Sequence, residues 1–238
     1  MPLSRRSAIT FAAGLAFHQP SRAAAARGKI IVAGGHPGDP ECGCGGTIAR
    51  YTQMGYEAVL LYMNRGEGYC SRPDLTQCAA VRTAEAQAAC AILRARPAFA
   101  GQIDAKAVLD NSHYADFARL LEAEKPDLLF VHWPLDRHRD HRALSLLALD
   151  AWLQSGKKAA LYFYEVADDT MMFTPNDFVD ISSVEDKRRG ACYAHLSQQP
   201  DRWYPRQTDI TRFRGKESGY AQAEAFLRHA ESKRGMLP

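Results

Sequence analysis

The feature that most constrains this chain is an alternation. Short apolar runs are separated by longer stretches whose apolar residues recur at helical spacing. Residues 29–34 form a β-rich run closing on Gly34-Gly35, and residues 58–63, 98–100 and 127–132 are three further strand candidates. Between them, residues 47–54, 83–94 and 114–124 read as helices, and residues 142–154 follow with Leu144, Leu147 and Ala151 on one face. Residues 159–166 and 178–181 add two strands, and residues 184–196 and 221–229 read as closing helices. Strands alternating with helices of about 10 to 15 residues make a mostly parallel sheet covered on both faces. The expected fold class is therefore α/β, Rossmann-like, in a single domain.

A length of 238 residues, 46% hydrophobic and 24% charged, suits one globular core rather than a disordered or fibrous chain. The net charge is only +3 and the basic residues are scattered, which argues against a nucleic-acid partner. The first 26 residues differ from the rest: Arg5 and Arg6 precede an apolar run at 8–17, and small residues fill 23–26. This is the pattern of an export signal of twin-arginine type. Roughly 10 apolar residues are too few to span a ~30 Å hydrocarbon core, so no membrane span is expected. The expectation is a leader over residues 1–26, a domain over 27–238, and a periplasmic location. In that oxidising compartment Cys70 and Cys78, in one polar loop around Pro73, are the preferred disulfide. Cys42 and Cys44 are too close together for a zinc knuckle and are expected to be buried.

Two dense polar clusters follow strands. His36-Pro37-Gly38-Asp39-Pro40-Glu41 succeeds the first, and Asp136-Arg137-His138-Arg139-Asp140-His141 succeeds the strand ending at His132. Ligands of open α/β sheets bind outside the carboxyl ends of strands, so both clusters should meet on one rim. Catalytic zinc takes three imidazole or carboxylate ligands and keeps an open position for water, a count that His36, Asp39 and His141 fit. His132 and His195, taken singly, are read as structural. Gly34, Gly35, Gly43, Gly45 and Gly46 do not have the G-x-G-x-x-G spacing of a dinucleotide site. They are read instead as allowing close helix-to-strand packing, with residues 43–46 forming a sharp turn ahead of the first helix.

These clusters resemble the motifs of the PIG-L or LmbE-like family of zinc-dependent N-acetyl-sugar deacetylases. That family's His-Pro-Asp-Asp, followed shortly by Glu and by Gly-x-Gly-Gly-Thr, is matched by His36 to Glu41 and by Gly43-Cys44-Gly45-Gly46-Thr47. Its His-x-Asp-His is matched by His138, Asp140 and His141. The resemblance runs from about Lys29 to the C-terminal elements, with further marks at Asn64-Arg65-Gly66-Glu67, Arg82-Thr83-Ala84-Glu85 and His195-Leu196-Ser197-Gln198. It implies that His36, Asp39 and His141 hold Zn²⁺, or another divalent ion such as Fe²⁺. It further implies that His138 faces the substrate carbonyl and that Asp140 is hydrogen-bonded nearby to orient it.

The chain departs from that pattern at one position. The family's general base is the first aspartate of the Asp-Asp pair, and here it is Gly38. Glu41, from the same turn, and Asp136, from the opposite loop, are the two candidates to activate the water in its place; otherwise Glu41 caps the following helix and Asp136 positions His138. The expected activity is hydrolysis of an N-acetyl or other N-acyl amide on an amino sugar or sugar conjugate. Arg65, Arg82 and Tyr69 are expected at the substrate entrance, with an Arg82–Glu85 ion pair as the structural alternative for Arg82. Trp203-Tyr204 reads either as a sugar-stacking platform or as packing. Two rival readings are a binding protein that has lost its base and an amidase acting on a non-sugar N-acyl compound.

Overall fold

The computed structural model describes residues 26–69 and 74–238. The expected leader lies outside the described residues except for Ala26, and so does Cys70. Cys78 is disulfide-bonded. Cys42, Cys44, Cys90 and Cys192 are free and buried.

Five strands, β1 (Lys29–Gly34), β2 (Glu57–Tyr62), β3 (Arg96–Phe99), β4 (Leu128–His132) and β5 (Ala160–Tyr164), pair in parallel. With β6 (Asp177–Asp180) and β7 (Ala223–Arg228) they build one sheet in the order β3-β2-β1-β4-β5-β7-β6, in which β7 runs antiparallel to both neighbours. Strand side chains alternate between faces. Ile30 and Val32 of β1 therefore join one core cluster with Leu60, Phe130 and Ile48, while Ile31 and Ala33 join the other with Leu61, Val131 and Leu144. Both faces of the sheet are buried, which is why these strands read as unbroken apolar runs. The first cluster lies under α1 (Asp39–Gln53), α2 (Leu75–Leu93) and α5 (Glu185–Tyr193), and the second under α3 (Asn111–Glu124) and α4 (Arg139–Gln154).

Three elements differ from the sequence expectation. Residues 43–46 are not a turn but part of α1, which already begins at Asp39 with Pro40 and Glu41 in its first turn. The glycines bring this helix onto its neighbours. A Cβ at Gly43 would stand 2.4 Å from Tyr164 Cδ2, and one at Gly46 2.4 Å from Ile181 Cγ2. Residues expected as the last helix form β7, because pairing with β5 and β6 outweighs the helix preference of Ala-Glu-Ala-Phe-Leu-Arg. Finally, α6 (Tyr204–Ser218) has no apolar stripe to betray it. Its buried face carries Gln207, Thr211 and Arg214, whose side chains meet Ala167 N, Gln222 and Glu165.

Candidate metal and catalytic site

The strand order reverses between β1 and β4, so the loops leaving their carboxyl ends diverge and open a crevice. Both polar clusters lie on these loops and line one cleft of about 580 Å³.

On the β1 side, Gly38 is the residue before α1 and has φ of 110°. Glycine enters this region freely, whereas an aspartate there would carry backbone strain of about 1–3 kcal/mol. The Gly38 amide donates to Glu41 Oε2 (3.0 Å), and the Cys42 amide donates to Gly38 O (2.8 Å), which sets the first turn. On the β4 side, His138 caps α4, its Nδ1 accepting from the Asp140 amide (3.3 Å). Asp136 Oδ1 accepts from the His138 amide at 2.8 Å.

The two loops converge on one oxygen, Asp39 Oδ2. It lies 3.2 Å from His36 Nδ1 and 3.1 Å from His141 Nε2, and it accepts the His36 amide at 2.8 Å. His141 is fixed from behind, because its Nδ1 lies 3.1 Å from Asp136 Oδ1. That leaves Nε2 buried and, despite its proximity to Asp39, without a hydrogen bond. A buried imidazole with one nitrogen held by a carboxylate and the other unsatisfied has the arrangement of a metal ligand with its outer partner. Three overlapping groups here have donors close enough to hold an ion: His36–His138–His141, Asp39–His132–His141 and His36–Asp104–Asp140. Imidazole and carboxylate donors of this kind suit a borderline divalent ion such as zinc.

The histidines differ in their protonation. Burial lowers the pKa of His36, but Asp104, Asp140 and Asp39 outweigh it and hold the ring well above the usual imidazole value. Burial also opposes the charge on His141, yet Asp39 and Asp136 push it up to about 9. His138 is lowered by burial and by the neighbouring His36 and His141 charges. His132 is pushed down to about 4 by burial and by His141. It is therefore neutral, stacked on His141 at 3.9 Å, and its Nε2 accepts from the Gly35 amide at 3.1 Å, which ties it to the β1 loop.

The remaining sequence-derived candidates occupy distinct positions. Glu41 is fully buried and does not line the cleft: besides Gly38, its carboxylate meets Tyr62 OH (2.7 Å) and His195 Nε2 (3.0 Å). Asp140 is also buried, and its Oδ2 takes the Ala105 amide (2.8 Å) and Asn64 Nδ2 (3.1 Å) beside His36 Nε2 (3.3 Å). Its carboxylate thus reaches His36 rather than His138, which meets only the Asp140 amide. Arg82 is 3% exposed, lines the cleft, and donates from Nη2 to Pro37 O (2.6 Å). Its Nη1 is 3.9 Å from Glu85. Tyr69 stands exposed on the cleft rim, where its carbonyl accepts from Gln198 Nε2. Arg65 does not line the cleft; it is exposed, with its guanidinium 5.9 Å from the Phe99 ring centroid. Trp203 lines the cleft, while Tyr204 is buried against Glu185 and Arg188.

Besides Asp168 on its rim, two acidic residues of this cleft escaped sequence reasoning. Asp104 lies 3.2 Å from His36 Nε2 and accepts the Gly68 amide, and Asp169 comes from the loop after β5. Neither stands in a motif, so nothing local distinguishes them from loop aspartates.

An open α/β domain with clustered histidine and aspartate donors that could hold an ion at its topological switch point defines the class to which this chain belongs. Within that class the chain belongs to the PIG-L family, described as GlcNAc-PI de-N-acetylase, which matches residues 31–152. Diacetylchitobiose deacetylase of Thermococcus kodakarensis is 27% identical over 219 residues, covering 82% of this chain and 81% of that one. The fold is shared with N,N'-diacetylchitobiose deacetylase of Pyrococcus horikoshii, solved with its inhibitor MPG: TM-score 0.76, 24% identity, 84% of this chain and 83% of that one. It is shared equally with GalB, the 4-carboxy-2-hydroxymuconate hydratase of Pseudomonas putida KT2440, at TM-score 0.75 and 21% identity over 89% of this chain and 100% of that one.

Proposed function

We propose that this protein is a zinc-dependent hydrolase that removes the acetyl group from an N-acetylglucosamine-like sugar or its conjugate, with His36, Asp39 and His141 holding the ion. The observation that carries this reading is the buried, unsatisfied Nε2 of His141 beside Asp39, with Nδ1 anchored on Asp136. The family match and the similarity to a diacetylchitobiose deacetylase support the choice of bond and substrate class.

An ion held by these donors supplies Lewis acidity, polarising the acyl carbonyl and making a water acidic enough to react near neutrality. The protein supplies the rest. His138 Nδ1 accepts from the Asp140 amide, so the proton of the neutral ring resides on Nε2. From there it donates a hydrogen bond to the oxygen that gains charge as the carbonyl becomes tetrahedral. Asp136 orients His141 and the His138 backbone together, and Asp140 and Asp104 orient His36. Glu41 closes the first turn of α1. Arg82, whose Nε and Nη1 have no hydrogen-bond partner, offers donors to sugar hydroxyls beneath the rim formed by Tyr69 and Trp203.

The test is acetate release from N-acetylglucosamine, N,N'-diacetylchitobiose and N-acylated non-sugar amines by purified protein of measured metal content. Turnover of the amino sugars that is abolished by chelation and restored by zinc is the expected result. Preferential turnover of the non-sugar amides would replace the substrate class. A second reading, a sugar-binding homologue without turnover, draws on Gly38, and a metal-loaded protein that binds the sugars but releases no acetate would establish it.

A further inference from the structure

Amide hydrolysis needs a group to take the proton of the attacking water, and Gly38 has no side chain to do so. Six of the seven carboxylates in and behind the cleft are already engaged. Asp39 is in the donor set. Glu41 is buried among Gly38 N, Tyr62 and His195. Asp136 serves His141, the His138 amide and the Thr170 hydroxyl. Asp140 serves the Ala105 amide and Asn64, and Asp104 the Gly68 amide, both beside His36. Asp168, on the rim, pairs with Arg206 at 2.8 Å.

The seventh, Asp169, lines the cleft and is half-buried, and among the described residues its carboxylate has no hydrogen bond or ion pair. Its backbone, by contrast, is anchored. Asp169 O accepts from the Arg137 amide at 2.8 Å, one residue before His138. The next residue, Thr170, forms a β-bridge with Asp136, donates from its hydroxyl to Asp136 Oδ2 (3.2 Å) and accepts the Val166 amide (2.9 Å). The free carboxylate is thus carried on a strap tied to the same aspartate that orients His141.

We propose that Asp169 is the general base of this enzyme, taking over from a different loop the role that Gly38 leaves open; this rests on the deacetylase reading above. Its carboxylate removes a proton from the water as the water oxygen bonds to the acyl carbon. The C–N bond then breaks, the amine leaves with the proton returned by Asp169, and acetate is the other product. Burial raises the pKa of Asp169 against the opposing charge of His141, and the nearby Asp136, Asp39 and Asp168 add to the rise.

The test is Asp169→Asn in the zinc-loaded protein, reading kcat, KM and zinc affinity separately. The expected result is a fall in kcat of about 10²–10⁴-fold with KM and zinc affinity unchanged, and loss of the acid limb of the kcat–pH profile. A variant retaining kcat within about threefold would overturn the assignment while leaving the deacetylase reading intact. A parallel loss of zinc affinity would also overturn it, because Asp169 would then be a ligand or a positioning residue. A wild-type protein that is zinc-loaded yet inert would overturn both readings.

Discussion

Replacing Asp136 with Asn isolates the electrostatic part of the site. The side chain is buried, and its Oδ1 accepts both His141 Nδ1–H and the His138 amide, contacts that an asparagine oxygen of the same shape preserves. What disappears is the charge behind His141, together with the Oδ2 that accepts the Thr170 hydroxyl at 3.2 Å. Outer carboxylates of this kind contribute about 10–100-fold to metal affinity, equivalent to about 1.4–2.7 kcal/mol. Proton competition makes the observed loss depend on pH. In the ion-free protein His141 has a pKa of about 9, so near pH 7 the ion must displace a proton at a cost of roughly 100-fold in affinity. Asp136→Asn lowers that pKa and relieves part of the competition. The loss should therefore be smaller near pH 7 and reach its full size near pH 9.5, where the wild-type imidazole is already neutral. Chelator-competition titration of zinc at both pH values measures the two ratios. Affinities equal within twofold at both, or a ratio that shrinks as pH rises, would refute the assignment of Asp136 as the partner of a metal-bound histidine.

Other perturbations address separate parts of the structure. His138→Ala should reduce kcat by about 10²–10⁴-fold while zinc content by metal analysis stays at wild-type level, since the ring acts on the substrate. Gly46→Ala places a methyl 2.4 Å from Ile181 Cγ2 and 2.6 Å from its Cβ, a branched buried side chain. The overpacking should cost about 1–3 kcal/mol, read as a lower midpoint in denaturant with an unchanged slope. The stability of the ion-free protein should also depend on pH. The folded pKa of His141 is raised, so its contribution is fully present below its unfolded value near 6.5 and is lost as pH rises through about 9. Asp39 and Asp136 are lowered despite burial, chiefly by His141, His132 and, for Asp39, His36, and their contribution is lost as pH falls below the usual aspartate range. Thermal melts of chelated protein should therefore peak between these limits and fall toward pH 9, and zinc should flatten the alkaline decline.

Much of the fold is legible in the chain because its cues are local. A strand buried on both faces must be apolar along its middle, as residues 30–34 and 128–131 are, and a helix between such strands repeats its apolar residues every three or four positions. The two polar clusters follow from the same logic, since each comes directly after one of these strands. Their convergence on one rim is a consequence of parallel pairing and of the reversal of strand order between β1 and β4. Where local preference and long-range pairing disagree, the sequence misleads. Residues 223–228 are composed like a helix and become β7, whereas residues 204–218 bury polar side chains and form a helix without an apolar stripe.

What the sequence by itself determined was the α/β order, the two clusters and the absence of a carboxylate at Gly38. Only the tertiary structure decided which partner each carboxylate meets: Asp136 behind His141, Asp140 beside His36, Glu41 buried against His195, and Asp169 unpaired in the cleft. The reason is physical. Periodicity is a property of neighbouring residues, but the donors that engage a carboxylate come from loops separated by tens of residues, and those loops meet only once the sheet has formed.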